Sequence, residues 1–332
     1  MSEKTVSINK GQLSKDRLLM WILENKSLVL LIVISIASGL ISGGVFFRGE
    51  NISTVLRQTA ITSLLAMGYV FVLTCGMIDL STGHMLSLAC VVYAQVALVA
   101  PVWVAMIAAI ATGLICGLFN GLLSIKLNLI PFVLTLGTAQ MFRGIAYLLC
   151  DGISINITDV SMKYVGQGIL FGFLPMTVVI VLIVTAIIAV IVYRTKYGRH
   201  VLATGGNPEA ARVSGVNIYK TKIIAFVIMG IMVGIASLVL VGRVAIAMPN
   251  SGQNMEMDAI ASTIIGGTAL SGGKTSVIGA IFGALILGVI SNLLNLAGLS
   301  SFWQWFFKGV IIVAAILLDS VTEKIFKKRQ LA

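Results

Sequence analysis

A chain of 332 residues that is 58% hydrophobic and 11% charged is too apolar for a water-soluble globular domain, where about a quarter of residues carry charge. Its repeated apolar stretches of about 20 residues each match the length of a helix that crosses a bilayer, and the short alternating segments of a β-barrel are absent. The net charge of +11 is not gathered into a basic, aromatic-interleaved patch, which excludes a nucleic-acid-binding reading.

In chain order, residues 1–27 form a polar cytoplasmic arm, without the small-residue cleavage site of a removable signal peptide. Span 1 is predicted at about 28–46. The polar stretch 48–58 reads as external, with Asn51 as a helix cap. Span 2 follows at about 59–76 and span 3 at about 85–100, with Gly76–His84 between them. Pro101 marks the turn into span 4, about 102–124. Lys126 and Asn128 mark the return, and Pro131 opens span 5 to about 150. An external loop, 151–174, precedes span 6 at about 175–193.

Next comes the longest polar run, 194–222, and then span 7 at about 223–242. An external stretch with Pro249, Glu256 and Asp258 leads into 259–274, where Gly266, Gly267, Gly272 and Gly273 weaken a continuous helix. Residues 259–271 count as a short span 8, with span 9 at about 275–294 and span 10 at about 302–319. The tail, 320–332, is basic. The expected fold is therefore an all-α polytopic membrane protein of about ten transmembrane helices, short or broken near 77–84 and 259–274. Its membrane domain, 28–319, is flanked by a cytoplasmic arm and tail.

The basic residues set the orientation. Five Lys/Arg lie in 1–27, six in 194–222 and four in 320–332; with Lys126 and Lys274, 17 of the 23 fall on one predicted side. Cytoplasmic loops carry that excess, so both termini and the 194–222 loop are expected inside. Cys75, Cys90, Cys116 and Cys150 sit in or beside apolar segments without a CxxC or a nearby His. They read as buried hydrophobes, neither disulfides nor a metal site.

The 194–222 loop contains a helix signature. Asn207 can cap, Pro208 suits the first helical position, and Glu209 lies where the helix dipole favours an acid. Gly215 follows at a position tolerant of positive φ. A short helix there, about eight residues, offers Ala210, Ala211 and Ser214 as a small face to a soluble partner. An ordinary connecting loop, kept basic to orient the protein, is the plain alternative.

Asp79 is the one acid between the closely connected spans 2 and 3. An ionisable group in hydrocarbon is costly and must find a partner or a cavity. Two readings stand: a wall of a translocation path, or a carboxylate that caps the next helix near Ser81–Gly83. Asp79–His84 aligns with Ala269–Lys274 at an offset of 190 residues, which suggests paired broken helices of a repeated transporter. Leu270–Thr275 resembles the end of a phosphate-binding loop, but position 268 is Thr and not Gly, so this chain is not expected to bind ATP.

Glycines at 113/117/121, 39/43, 230/234 and 279/283 are expected to let helices approach closely. Gln95, Asn120, Gln140, Asn292 and Asn295 are expected to bond between helices, with contact to a hydroxyl-rich substrate as the alternative. No Ser/His/Asp set, HExxH motif or catalytic carboxylate pair appears, and His84 and His200 each read as lying at a cytoplasmic membrane edge. An enzyme is not expected.

Asn51–Gln58, Gly76–Gly83 and Gly266–Lys274, with Gly205–Gly215, together resemble the ribose-type carbohydrate permeases of ABC importers over about 28–319. The resemblance implies a permease dimer, of identical or homologous chains, in the bacterial cytoplasmic membrane. It also implies an external solute-binding protein and a cytoplasmic ATPase that holds the ATP and Mg. It assigns Pro208, Glu209, Ala210, Ala211, Ser214 and Gly215 to ATPase coupling. Asp79, Ser81 and Gly83, with Leu270, Ser271, Gly272 and Gly273, become broken-helix or path elements. Met77 and Thr82 depart from the family's usual Gly and Val, so the substrate is not carried over. A monosaccharide is the first expectation, with an amino acid or nucleoside as alternatives. The reading from a different class is a stand-alone ion-coupled transporter in which Asp79 titrates or binds a cation, though such proteins usually carry more than one intramembrane acid.

Overall fold

The computed structural model describes residues 25–300, 302–311, 313, 314 and 317. Its helices are α1 (Lys26–Ile41), α2 (Gly49–Thr74), α3 (Thr82–Ala97), α4 (Val102–Lys126), α5 (Pro131–Leu149), α6 (Val160–Gln167), α7 (Met176–Arg194), α8 (Lys196–Gly206), α9 (Pro208–Val213), α10 (Ile218–Val244), α11 (Met255–Ile265) and α12 (Val277–Leu296). Residues 302–311 are helical as well. Six helices (α2, α4, α5, α7, α10 and α12) are long and apolar enough to cross a membrane. With the shorter α1, α3, α11 and 302–311, the segments fall where the sequence places its spans. Helix is the required solution, because hydrocarbon offers a backbone N–H or C=O no other partner.

The centre of the bundle is α2 against α10. Their apolar windows are 78% and 67% buried, against 28% for α4, α5 and α7. The outer helices therefore turn Leu, Ile and Val outward: Leu148 of α5 is 80% exposed and Ile115 of α4 62%. That inversion suits a hydrocarbon solvent and would aggregate in water. Between α4 and α10 the approach is closest. A β-carbon on Gly113 would overlap the carbonyl of Gly230, and one on Gly117 that of Phe226. Gly279 and Gly283 meet the backbones of Gly266 and Ser262 in the same way, so these glycine faces are packing faces.

Two helices begin inside the bundle. The Tyr69 hydroxyl sits 2.5 Å from the Thr82 hydroxyl, and Tyr69 lies five residues before the end of α2. At 1.5 Å per residue, α3 starts roughly 7 Å inside that end. The turn before α11 dives to the same level: the Gly252 N–H donates to Ser87 Oγ at 2.9 Å. So 75–81 and 248–254 are non-helical backbone inside the bundle, with Gly76, Asn250, Gln253 and Asn254 exposed; a membrane tolerates such backbone only where it is buried in protein or lines water.

From there α3 and α5 run in register. The Leu80 N–H donates to Thr135 Oγ1 at 3.0 Å, and Gln95 Nε2 donates to the Leu149 carbonyl at 2.9 Å. At the end remote from α8, β1 (Ile155–Asn156) pairs antiparallel with β4 (Ile246–Ala247). The β2–β3 pair (Ile169–Leu170, Leu174–Pro175) closes a small hairpin beside it.

Several expectations are corrected. Asn51 is no cap, because α2 already begins at Gly49. Its amide instead exchanges hydrogen bonds of 3.0 and 2.8 Å with Asn292. Glu256 and Asp258 do not lie in an external stretch. Both belong to α11, where Glu256 is buried and Asp258 accepts a 2.7 Å ion pair from Lys308. The 151–174 loop contains α6, capped by Asp159, whose Oδ1 accepts from the N–H groups of Ser161 and Met162. Gly43 lies beyond α1 and packs against nothing. The 79–84 and 269–274 segments are not alike: the first opens α3, while the second is a hairpin closed by Ala269 N–H on the Lys274 carbonyl at 3.1 Å.

Candidate functional site

At the start of α3, Asp79, Ser81 and Asn120 are fully buried and joined in one relay. Asn120 Nδ2 donates to Ser81 Oγ at 2.7 Å. Ser81 then gives both its hydroxyl (2.6 Å) and its N–H (2.8 Å) to Asp79 Oδ1. A second strand of the relay runs from the Tyr69 hydroxyl to the Asp79 carbonyl at 2.5 Å. Asp79 therefore closes its own loop by an Asx-type bond to Ser81, the residue before α3. Ser81 itself makes no side-chain cap bond to α3.

Gly83, one turn on, touches α11. A β-carbon there would overlap Glu256 Oε2 and the Gly252 carbonyl, and one on Gly252 would overlap the Gly83 carbonyl. The N-terminal ends of α3 and α11 thus abut inside the bundle. His84, expected at a membrane edge, stands beside this contact at the first turn of α3.

At the end of the bundle that carries 194–222, most of the polar run is helical and it turns back on the core. Thr195 caps α8 through the Gly198 N–H at 3.2 Å. Asn207 caps α9 through the Ala210 N–H at 3.0 Å, and Pro208 is its first residue. Beyond α9, Gly215 takes φ +83°, where a residue with a β-carbon is strained. The Tyr197 ring stacks on Phe71 at 5.8 Å, and its hydroxyl donates to the Thr221 carbonyl at 3.1 Å. Burial above all, and then the Cys75 thiol, raise the Tyr197 pKa, so the phenol stays a hydrogen-bond donor.

The decisive contact is at Gly205. A β-carbon there would overlap the Thr74 carbonyl and crowd the Gly273 amide, and that amide donates to the same Thr74 carbonyl at 2.9 Å. Gly272 (φ +88°) bends the hairpin so that this approach is possible. The end of α2, the 269–274 hairpin and α8 therefore meet at one backbone junction. Beside it, a groove of about 900 Å³ separates α9 from the α4–α5 turn, lined by Asn128, Ile130, Pro208, Glu209, Arg212 and Tyr219 among others.

The predicted residues fall into two groups. Asp79, Ser81 and Gly83 are enclosed by their own chain, whereas Leu270 and Ser271 are exposed on the end face beside α8. Pro208, Glu209, Ala210, Ser214 and Gly215 are exposed, and Glu209 pairs with Arg212 at 2.8 Å. Ala211 is corrected: it is 5% exposed, packed inward, and cannot belong to a partner-facing surface. The helix is also shorter than expected, at six residues.

Sequence reasoning missed α8, which runs from Lys196 to Gly206, and Val213, 84% exposed on the tip of α9. The signal for the first was Thr195, an N-cap residue directly before the run; for the second, an isolated Val in a polar helix. Asn120 bonds between helices as expected, donating to Ser81 Oγ, which in turn holds Asp79.

Residues 51–316 match the family described as "Branched-chain amino acid transport system / permease component". The chain is 37% identical over 277 residues to the ribose import permease of Bacillus subtilis, covering 82% of this chain and 86% of that one. Against the ribose import permease of Haemophilus influenzae the identity is 33% over 316 residues, covering 94% and 97%. Against the xylose transport system permease of Haemophilus influenzae it is 34% over 361 positions, covering 89% and 96%. No solved structure matches the chain.

Proposed function

The chain belongs to the permease-component family of ABC import systems, and from that premise we propose that it forms the membrane pathway through which a monosaccharide enters the cell. The observation that carries this reading is the near full-length match to a ribose import permease, 33% identical over 94% of this chain and 97% of the relative. The family's title names branched-chain amino acids. The relatives matched over most of their length are named for pentoses, ribose and xylose.

The end face supports the energy coupling. A six-residue helix is marginal alone in water, so α9 is held by packing, and Val213 and Glu209 point away from the chain. On this reading α9 seats on a cytoplasmic ATPase that binds ATP and Mg. Closure of two ATPases moves α8, and Gly205 passes that motion to α2 and the 269–274 hairpin. An external binding protein delivers solute at the β1–β4 end, and a second permease, identical or homologous, completes the pathway. Both termini lie in the cytoplasm, as the Lys/Arg excess favours. The pathway then switches between two exposures, biased by partners that bind one state better than the other. This chain performs no covalent chemistry.

The test is uptake in membrane vesicles holding the chain with its ATPase and binding protein. Labelled ribose should accumulate with ATP and not with ADP, and leucine should not compete. Leucine accumulation in place of ribose would move the chain to the amino-acid reading. Collapse of uptake with the ion gradient, at constant ATP, would favour the ion-coupled transporter.

A further inference from the structure

The exposed surface of α5 is divided. At 100° per residue, Arg143, Tyr147, Gln140, Gly144 and Gly137 fall within an arc of about 120°, and all five are exposed. Val133 and Leu136 share that arc nearer the start of the helix. The adjoining arc of about 60° is aliphatic: Leu148 is 80% exposed, Met141 51% and Ile145 43%. The opposite side, with Thr135, Ala139, Phe142 and Ala146, is buried against the bundle.

Gln140 is the tenth of the 19 residues of α5, so its amide lies roughly 14 Å from either end. A short primary amide cannot reach an interface over that distance, and facing hydrocarbon it would have no partner. Arg143 is set 5.7 Å from the Tyr147 ring. From the other side of α3, the turn that packs on Gly83 exposes Gln253 and Asn254. Polar groups of α5 and of the turn before α11 thus lie open near the depth where α3 and α11 abut, whereas Asp79 is buried.

We propose that Gln140 and Arg143 form a wetted wall of the translocation pathway and hydrogen-bond the hydroxyl groups of a neutral, polyhydroxylated solute as it passes, with the second permease opposite. The inference rests on the importer reading above and assigns its specificity-determining side chains. A carboxamide both donates and accepts, and a guanidinium presents a planar fork of donors. Together they match vicinal hydroxyls and offer nothing to an aliphatic side chain such as that of leucine.

The experiment is reactivity of introduced cysteines in membranes that hold the chain with its ATPase and binding protein. Gln140→Cys, Arg143→Cys and Ile145→Cys are treated from both sides with a charged, membrane-impermeant methanethiosulfonate. The native Cys75, Cys90, Cys116 and Cys150 are buried and provide a low background. Thiolate chemistry needs water, so Q140C and R143C should react on the order of tenfold faster than I145C, and ribose should slow them. If Q140C and R143C are as unreactive as I145C, the wall is wrong, whether that face meets lipid or packs dry against a second chain. Because the readout is labelling, the two readings fail separately. Parental vesicles that take up no ribose would sink the importer and leave the labelling contrast standing; equal labelling with uptake intact would overturn only the wall.

Discussion

Gly205 of α8 and Gly273 of the hairpin before α12 lie so close, across the Thr74 carbonyl, that no β-carbon fits between them. The only atoms available to yield are backbone, which cannot swing aside as a side-chain tip can. Gly205→Val should therefore displace α8 while the apolar spans, and with them membrane insertion, stay intact. Uptake should fall by at least an order of magnitude at unchanged protein level, since misplacement by about 1 Å can cost a hundredfold in a coupled site. Uptake at the parental rate would remove Gly205 from the coupling route.

Glu209 and Arg212 form an exposed pair, with side chains 76% and 69% accessible. Such pairs contribute about 0–1 kcal/mol, so Glu209→Lys should leave the fold of this chain unchanged. Any loss then reports on a partner. We expect weaker retention of the ATPase on tagged permease and loss of uptake, and the same from Val213→Asp. Normal pull-down with normal transport for both would mean that α9 is not the docking helix.

Gly215→Val tests the end of α9 by strain. At φ +83° a β-branched residue costs upwards of about 1–2 kcal/mol. The position has open space around it, so the penalty is conformational and not steric. ATPase retention should drop, and Gly215→Asn, which tolerates the left-handed region, should restore most of it. Equal behaviour of Val and Asn would show that φ at this position does not matter.

Asp79→Asn and Asp79→Ala separate capping from titration. Asparagine keeps an oxygen for the Ser81 N–H and hydroxyl, whereas alanine strands both inside the bundle. Alanine should lower the thermal stability of the detergent-solubilised protein by an amount equivalent to about 1–3 kcal/mol, and asparagine by much less. With ATP present, uptake by the asparagine variant should persist. Abolished uptake in a stable Asp79→Asn protein would restore the carboxylate to a transport role.

Orientation is tested by cysteine labelling at three sites. Asn156 should label from outside, and Ser2 and Gln330, beyond the described residues, from inside. A reversal at any one of them overturns the topology drawn from the Lys/Arg distribution.

The spans were legible because apolarity accumulates over about 20 residues and a bilayer admits little else. The α9 signature was legible because Asn207, Pro208 and Gly215 each act through local backbone chemistry. What misled was polarity at depth. Gly252–Glu256 has the composition of an aqueous turn, and only its contact with Gly83 places it inside the bundle. Asn51 lies in a stretch with Glu50, Arg57 and Gln58, and its true partner, Asn292, is 241 positions away. Gln140 was read as an interhelical bond because spans usually use amides that way. Exposure, which has no local sequence signature, distinguishes it from Asn120.

The two hydrogen bonds that tie Leu80 to Thr135 and Gln95 to Leu149 lie near opposite ends of the same helix pair. Two pins fix both position and angle. For α5 to slide along α3 like a piston, both bonds must break, at about 1 kcal/mol each; for the pair to swing together, neither need change. If α5 lines the proposed pathway, α3 and α5 can move as one body with both bonds kept, whereas sliding one along the other breaks them.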